Sequence, residues 1–209
     1  MKAFLLPSIL ILVWVLNHNI KKNGKHTKES VSAYLAREDA ANNIRRKDIS
    51  NLDYIVIPFE IFPFDITLND EKKQSKIADY KKELEALSQT KMLNLMGVSN
   101  TELKEQYGIA NLELLSSYDQ NYSRYIRTLQ LFSECIYSEH PEKAVSVLEY
   151  CIKIGTDIAG TYELLGNYYA DKQDKERFDA LYSAIPDKQT LSGKRIIQHL
   201  DSIRDEKLS

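Results

Sequence analysis

Residues 3–16 of this chain, AFLLPSILILVWVL, contain no Asp, Glu, Lys or Arg, and Lys21, Lys22, Lys25 and Lys28 follow closely. An uncharged apolar stretch of this length constrains the whole chain, because it is stable only inside a core or in lipid unless it is removed by processing. Extended to Ile20, it reaches about 27 Å as a helix at about 1.5 Å per residue, close to one hydrocarbon thickness. Pro7 falls in the first two turns, where a lost backbone bond costs least, and Trp14 falls near the far end, where an indole favours the headgroup region. Residues 1–20 are therefore predicted to form a transmembrane anchor. A cleavable secretory signal is the competing reading, with Lys2 as its charged start, but the NHNIKKNGKH after Leu16 lacks small residues at cleavage spacing.

Basic residues set the expected orientation. Lys2 and the amino terminus lie on one side, whereas Lys21, Lys22, Lys25, Lys28 and Arg37 lie on the other, so the bulk of the chain is predicted to be cytoplasmic and the protein single-pass. Residues 17–50 carry a net charge of +4; with Lys2 contributing +1 to the total of −2, residues 51–209 carry −7. A basic stretch beside an acidic body suits an anionic bilayer surface, with Lys21, Lys22, Lys25 and Lys28 as the lipid flank, and argues against nucleic acid as a partner.

Glycine and proline are scarce, 7 and 5 in 209 residues, too few to punctuate the turns of a sandwich or barrel. The fold class expected is all-α. Residues 21–50 form a basic juxtamembrane region in which Val31, Tyr34, Leu35 and Ile44 recur at roughly helical spacing; Arg45, Arg46 and Lys47 would complement the dipole in its last turn. In residues 51–118, the run LDYIVIPFEIFPF (52–64) is extended, because Pro58 and Pro63 forbid a continuous helix. Ile55, Ile57, Phe59, Phe62 and Phe64 are expected to insert into a helical surface; an exposed recognition peptide is the alternative. Asn69 is the expected cap of the next helix, which carries Ile77, Tyr80, Leu84 and Leu87 and continues through Met92 to Met96 before Gly97 stops it. Ser99 and Glu102 have the spacing of a capping box, Gly108 ends that helix, and Asn111 caps the following one.

Residues 119–209 contain an internal repeat. At an offset of 34 residues, Leu131 pairs with Leu165, Cys135 with Tyr169, Ala144 with Phe178, Leu148 with Tyr182 and Cys151 with Ile185. The second copy, TYELLGNYYADKQDKERFDALY, carries Tyr162, then Leu165-Gly166, then Tyr169. In that spacing it resembles the tetratricopeptide repeat (TPR) family, departing from it where Phe178 replaces a small residue and where Phe132 replaces the first copy's glycine. The TPR-like resemblance covers about a third of the chain and implies paired antiparallel helices presenting a surface to a protein. Ile196, Ile197, Leu200 and Ile203 are expected to supply a C-terminal capping helix. Taken together, the anchor, the 52–64 run, LNLMGVSNTELKEQYGIANLELLSSYDQNY and the repeat resemble an uncharacterised group of membrane-anchored bacterial proteins, which implies an anchored helical fold and supplies no activity.

Reactive chemistry is not evident. His18, His26, His140 and His199 lie in separate segments, none at the spacing of a helical metal pair, and Cys135 and Cys151 are too far apart for a CxxC pair. Cys135 with His140 would diverge on a helix, and the carboxylates sit in charge-mixed helical stretches. No catalytic, cofactor or metal residue is assigned. The expectation is a membrane-anchored, non-enzymatic adaptor with an unknown protein partner. Its candidate partner-binding residues are Tyr122, Tyr125, Tyr162 and Tyr169 in the repeat and Ile57, Phe59, Phe62 and Phe64 in the extended run. The alternatives are a structural or assembly subunit of a membrane complex docking through residues 52–64, and an enzyme whose residues form no local motif.

Overall fold

A computed structural model describes residues 30–208, so the predicted anchor and the flank Lys21, Lys22, Lys25 and Lys28 lie outside the described residues. Among the described residues there are eight α-helices and no strand, as expected for an all-α chain, and no helix is long and apolar enough to cross a membrane. The chain divides into two compact units, one drawn from residues up to 50 with 98–112, the other from 51–97 with 113–209.

In the first unit, helix α1 (residues 30–42) runs beside α3 (Asn100–Tyr107). The capping box is present: the Ser99 hydroxyl accepts from the Glu102 amide while the Glu102 carboxylate accepts from the Ser99 amide at 2.8 Å. Arg37 forms a fork with Glu105 at 2.7 and 2.6 Å, and Glu38 holds both Lys104 and the Thr101 hydroxyl. Helix α1 stops earlier than its sequence suggests. The amides of Asn43 and Ile44 bond back to Ala40 and Ala41 in tight turns, and the Asn43 side chain takes the Asp39 carbonyl. Arg45, Arg46 and Lys47 consequently lie beyond the last turn of α1. Lys47 instead serves the carboxyl end of α3, its amide donating to the Tyr107 carbonyl (3.0 Å) and its ammonium to that of Glu105 (3.3 Å).

Gly108 closes α3 at φ +83°, and a Cβ there would collide with the Arg45 carbonyl, so both conformation and contact require glycine. Asn111 does not cap the following helix. It is buried in a 3₁₀ turn (Ile109–Asn111), where its amide donates to the carbonyls of Lys47 (2.8 Å) and Tyr107 (2.7 Å) and accepts from Arg46 (3.1 Å).

The second unit has two adjoining cores. In the first, residues 51–68 form neither α-helix nor strand: turns at 51–52 and 64–65 and a 3₁₀ turn (Phe59–Ile61) interrupt the run, and one backbone bond links Ile55 to Met92 (3.0 Å). Ile57, Phe62, Ile66 and Leu68 are buried among α2 (Glu71–Ser88), α4 (Leu112–Tyr137) and α5 (Pro141–Lys153). Phe62 meets Tyr150 edge-on at 5.6 Å, and Phe64 lies 5.1 Å from Phe132. Asp70, one residue later than expected, caps α2 by accepting from Lys72 and Lys73. Asn69 is held by Glu139. Nor does α2 continue to Met96: it ends at Ser88, and Met92 and Leu93 are buried from a non-helical stretch.

The second core joins α5, α6 (Ala159–Asp171), α7 (Lys175–Ala184) and α8 (Leu191–Lys207). Gly166 marks the approach of α8, since a Cβ there would lie 3.0 Å from Leu200 and 3.3 Å from Ile203. Ile196, Leu200 and Ile203 are buried and Ile197 is half-buried, in the capping position expected of the last helix.

Burial also fixes the register between the two helix pairs. Leu131 is 39% exposed although its partner Leu165 is buried. The buried faces of α4 and α6 match one residue out of step with the expected pairing, Leu129 with Tyr162, Phe132 with Leu165 and Ile136 with Tyr169. Ala144, Leu148 and Cys151 of α5 are buried, as are Phe178 of α7 and Ile185 just beyond it, whereas Tyr182 is half-buried. A one-residue slip turns a helix by about 100°, enough to take Leu131 off the core.

Candidate functional site

An apolar depression of the second unit lies where α5, α6 and α7 meet. The Ile152, Leu165, Leu181 and Ala184 side chains form an apolar floor, and Ala180 opens onto it. Glu149 and Arg177 form its rim at 3.5 Å, and the Tyr169 hydroxyl donates to Glu149 at 2.7 Å. Arg177 also pairs with Asp174, the α7 cap, at 3.4 Å and lies 6.0 Å from the Tyr169 ring. Burial raises the Tyr169 phenol above its ordinary value, and its hydrogen bond to Glu149 raises it further, so it remains a donor. The cavity holds about 240 Å³. Drug-sized ligands occupy roughly 300–1,000 Å³, so a depression of this size suits one or two apolar side chains of a peptide, oriented by the charged rim.

The tyrosines singled out in the sequence prove to be interior groups. Tyr122 donates to the Ile154 carbonyl (3.0 Å) and accepts from Asn94 (3.1 Å); Tyr125 bonds Tyr150 (3.1 Å); Tyr162 reaches the carbonyls of Thr156 and Ala184. All three are buried and present no face to a partner; Tyr169, also buried, lines the groove. In the extended run, Ile57 and Phe62 are buried, and Phe59 and Phe64 pack partly buried against the same core. Val56, 81% exposed, and Ile61 are its outward apolar groups. A partner reaching Ile57 or Phe62 would first have to displace them from α4 and α5.

Burial pushes the Cys151 thiol up to about 12 and raises that of Cys135, whose Sγ faces the Lys73 carbonyl at 3.5 Å. His140 contacts the Thr67 carbonyl (3.1 Å), and His199 pairs with Glu163 (3.0 Å). Among the described residues no group of three or more His, Cys, Asp or Glu could hold a metal ion.

Glu149 and Arg177, which define the groove, were not legible as a site. They are 28 residues apart and look like ordinary surface charges; only the helix pairing brings them together. No family model, curated protein or solved structure matches the chain.

Proposed function

We propose that the chain is a membrane-anchored interaction protein, held by residues 1–20 with its bulk cytoplasmic, whose TPR-like helix pairs receive a partner peptide in the α5–α6–α7 groove. The observation carrying this reading is the groove itself: an apolar floor beside an Arg177–Glu149 rim, on helices packed by fully buried side chains. Rigid helices with such a depression bind apolar anchors of a peptide, and the rim pair fixes orientation. The apolar run at 3–16 and the lysines after it support the anchor and its direction.

A photoreactive amino acid at Ala180, incorporated into the full chain in intact membranes, tests the groove. Cross-links from position 180 that are absent from an exposed position on the outer side of α8, such as Asp205, support it. Equal labelling from both positions overturns it. Reporter fusions at the carboxyl terminus, active on only one side of the membrane, test the orientation independently.

A further inference from the structure

Helix α1 presents an unusual imbalance. Residues 30–37 are exposed, and among the described residues of α1 the one buried side chain is Ala41. Yet Val31, Tyr34 and Leu35, at i, i+3 and i+4, form a single apolar stripe, 50%, 58% and 59% exposed. One turn further along this face, Glu38 meets Thr101 and Lys104 of α3. The face is therefore covered at its carboxyl end and uncovered at its amino end. Residues 30–42 bury little of their own surface, so an occupant for the stripe would stabilise this helical stretch.

We propose that this occupant is the bilayer surface, with Val31, Tyr34 and Leu35 seated in the headgroup region so that α1 lies along the membrane. This rests on the anchored reading of residues 1–20. Only nine residues separate Ile20 from Ser30, a reach of about 30 Å even when fully extended, so the stripe is confined near the surface where the chain emerges. Four of those nine are Lys21, Lys22, Lys25 and Lys28, which draw the segment toward anionic lipid. Tyrosine combines an apolar ring with a polar tip and favours this depth, and leucine and valine below it add apolar area. The charges of α1 nearest the stripe are already engaged within the unit: Glu38 pairs with Lys104, and Arg37 with Glu105.

The test uses the full chain reconstituted in phosphatidylcholine vesicles containing phosphatidylglycerol. Leu35→Cys and, on the opposite face of α1, Ala40→Cys variants carry an environment-sensitive fluorophore; Cys135 and Cys151 are buried, and labelling of the unsubstituted chain sets the background. Lipids with brominated acyl chains should quench the label at 35 at least threefold more than at 40, and iodide in the buffer should do the reverse. Equal quenching at both positions, in a chain that floats with the vesicles, overturns the stripe and leaves the anchor standing. Failure to float overturns the anchor and the stripe together. A label at 35 that neither bromolipid nor iodide reaches would mean that protein, such as a second copy, covers the stripe, and would also overturn the proposal.

Discussion

Asn111 shows how one buried polar side chain can tie two segments together. Its amide satisfies two main-chain carbonyls and one guanidinium from residues 45–47 and 107. Replacement by alanine removes the side-chain donor of the Lys47 carbonyl and leaves the Tyr107 carbonyl with the Lys47 amide alone; it should destabilise the first unit by about 1–3 kcal/mol, read as faster amide exchange throughout α3. The carboxylates of the same unit predict its response to acid. Hydrogen bonds hold three of them below the ordinary carboxylate range: Lys104 acts on Glu38, Arg37 on Glu105 and Ser99 on Glu102. Each binds a proton more weakly when folded than when unfolded. Their contribution is therefore complete above the unfolded carboxylate pKa and is lost as pH falls through the lower folded values. Amide protection in α3 should fall in that acidic window and stay level through neutral pH. Ser99 and Glu102 were readable as a capping box because the signal is local; Asn111 was misread as a cap because its three partners lie on other segments.

At the scale of elements, α8 is the capping helix that closes the second core over Gly166. Leu200→Ala should cost about 3 kcal/mol in chemical denaturation, since Leu200 is buried and faces Gly166 of α6, which has no side chain to relax into the cavity. Most helices were legible from apolar spacing: the buried Ile77, Leu84 and Leu87 of α2 and the buried stripe of α8 follow the expected period. Their ends were less legible. Asp70 caps α2 in place of Asn69 because Asn69 is taken by Glu139, 70 residues away. The extended run 52–64 was recognised from its prolines, and its internal packing was the favoured expectation. The register of α4 was not recognised: Leu131 and Phe132 are both apolar, and only packing decides which faces inward.

At the scale of the molecule, sequence and structure speak about different parts. The proposed anchor and its basic flank rest on the sequence alone, whereas the groove is a product of three helices whose rim residues are far apart in the chain. Its burial pattern explains why aromatic residues at repeat positions were poor guides to a surface. Tyr122, Tyr125 and Tyr162 bury their rings to hold the helix pairs, leaving the shallower Ala180, Ile152 and Ala184 to line what a partner can reach. The measurement that tests this most directly is quantitative affinity capture, without cross-linking, of the partner first identified by the photoreactive probe at position 180, comparing wild type with Ala180→Arg. Ala180 is exposed, so arginine can fill the groove without entering the core. The expected result is at least a tenfold loss of captured partner at an unchanged melting temperature; undiminished capture by the folded variant would contradict a function exercised through this groove.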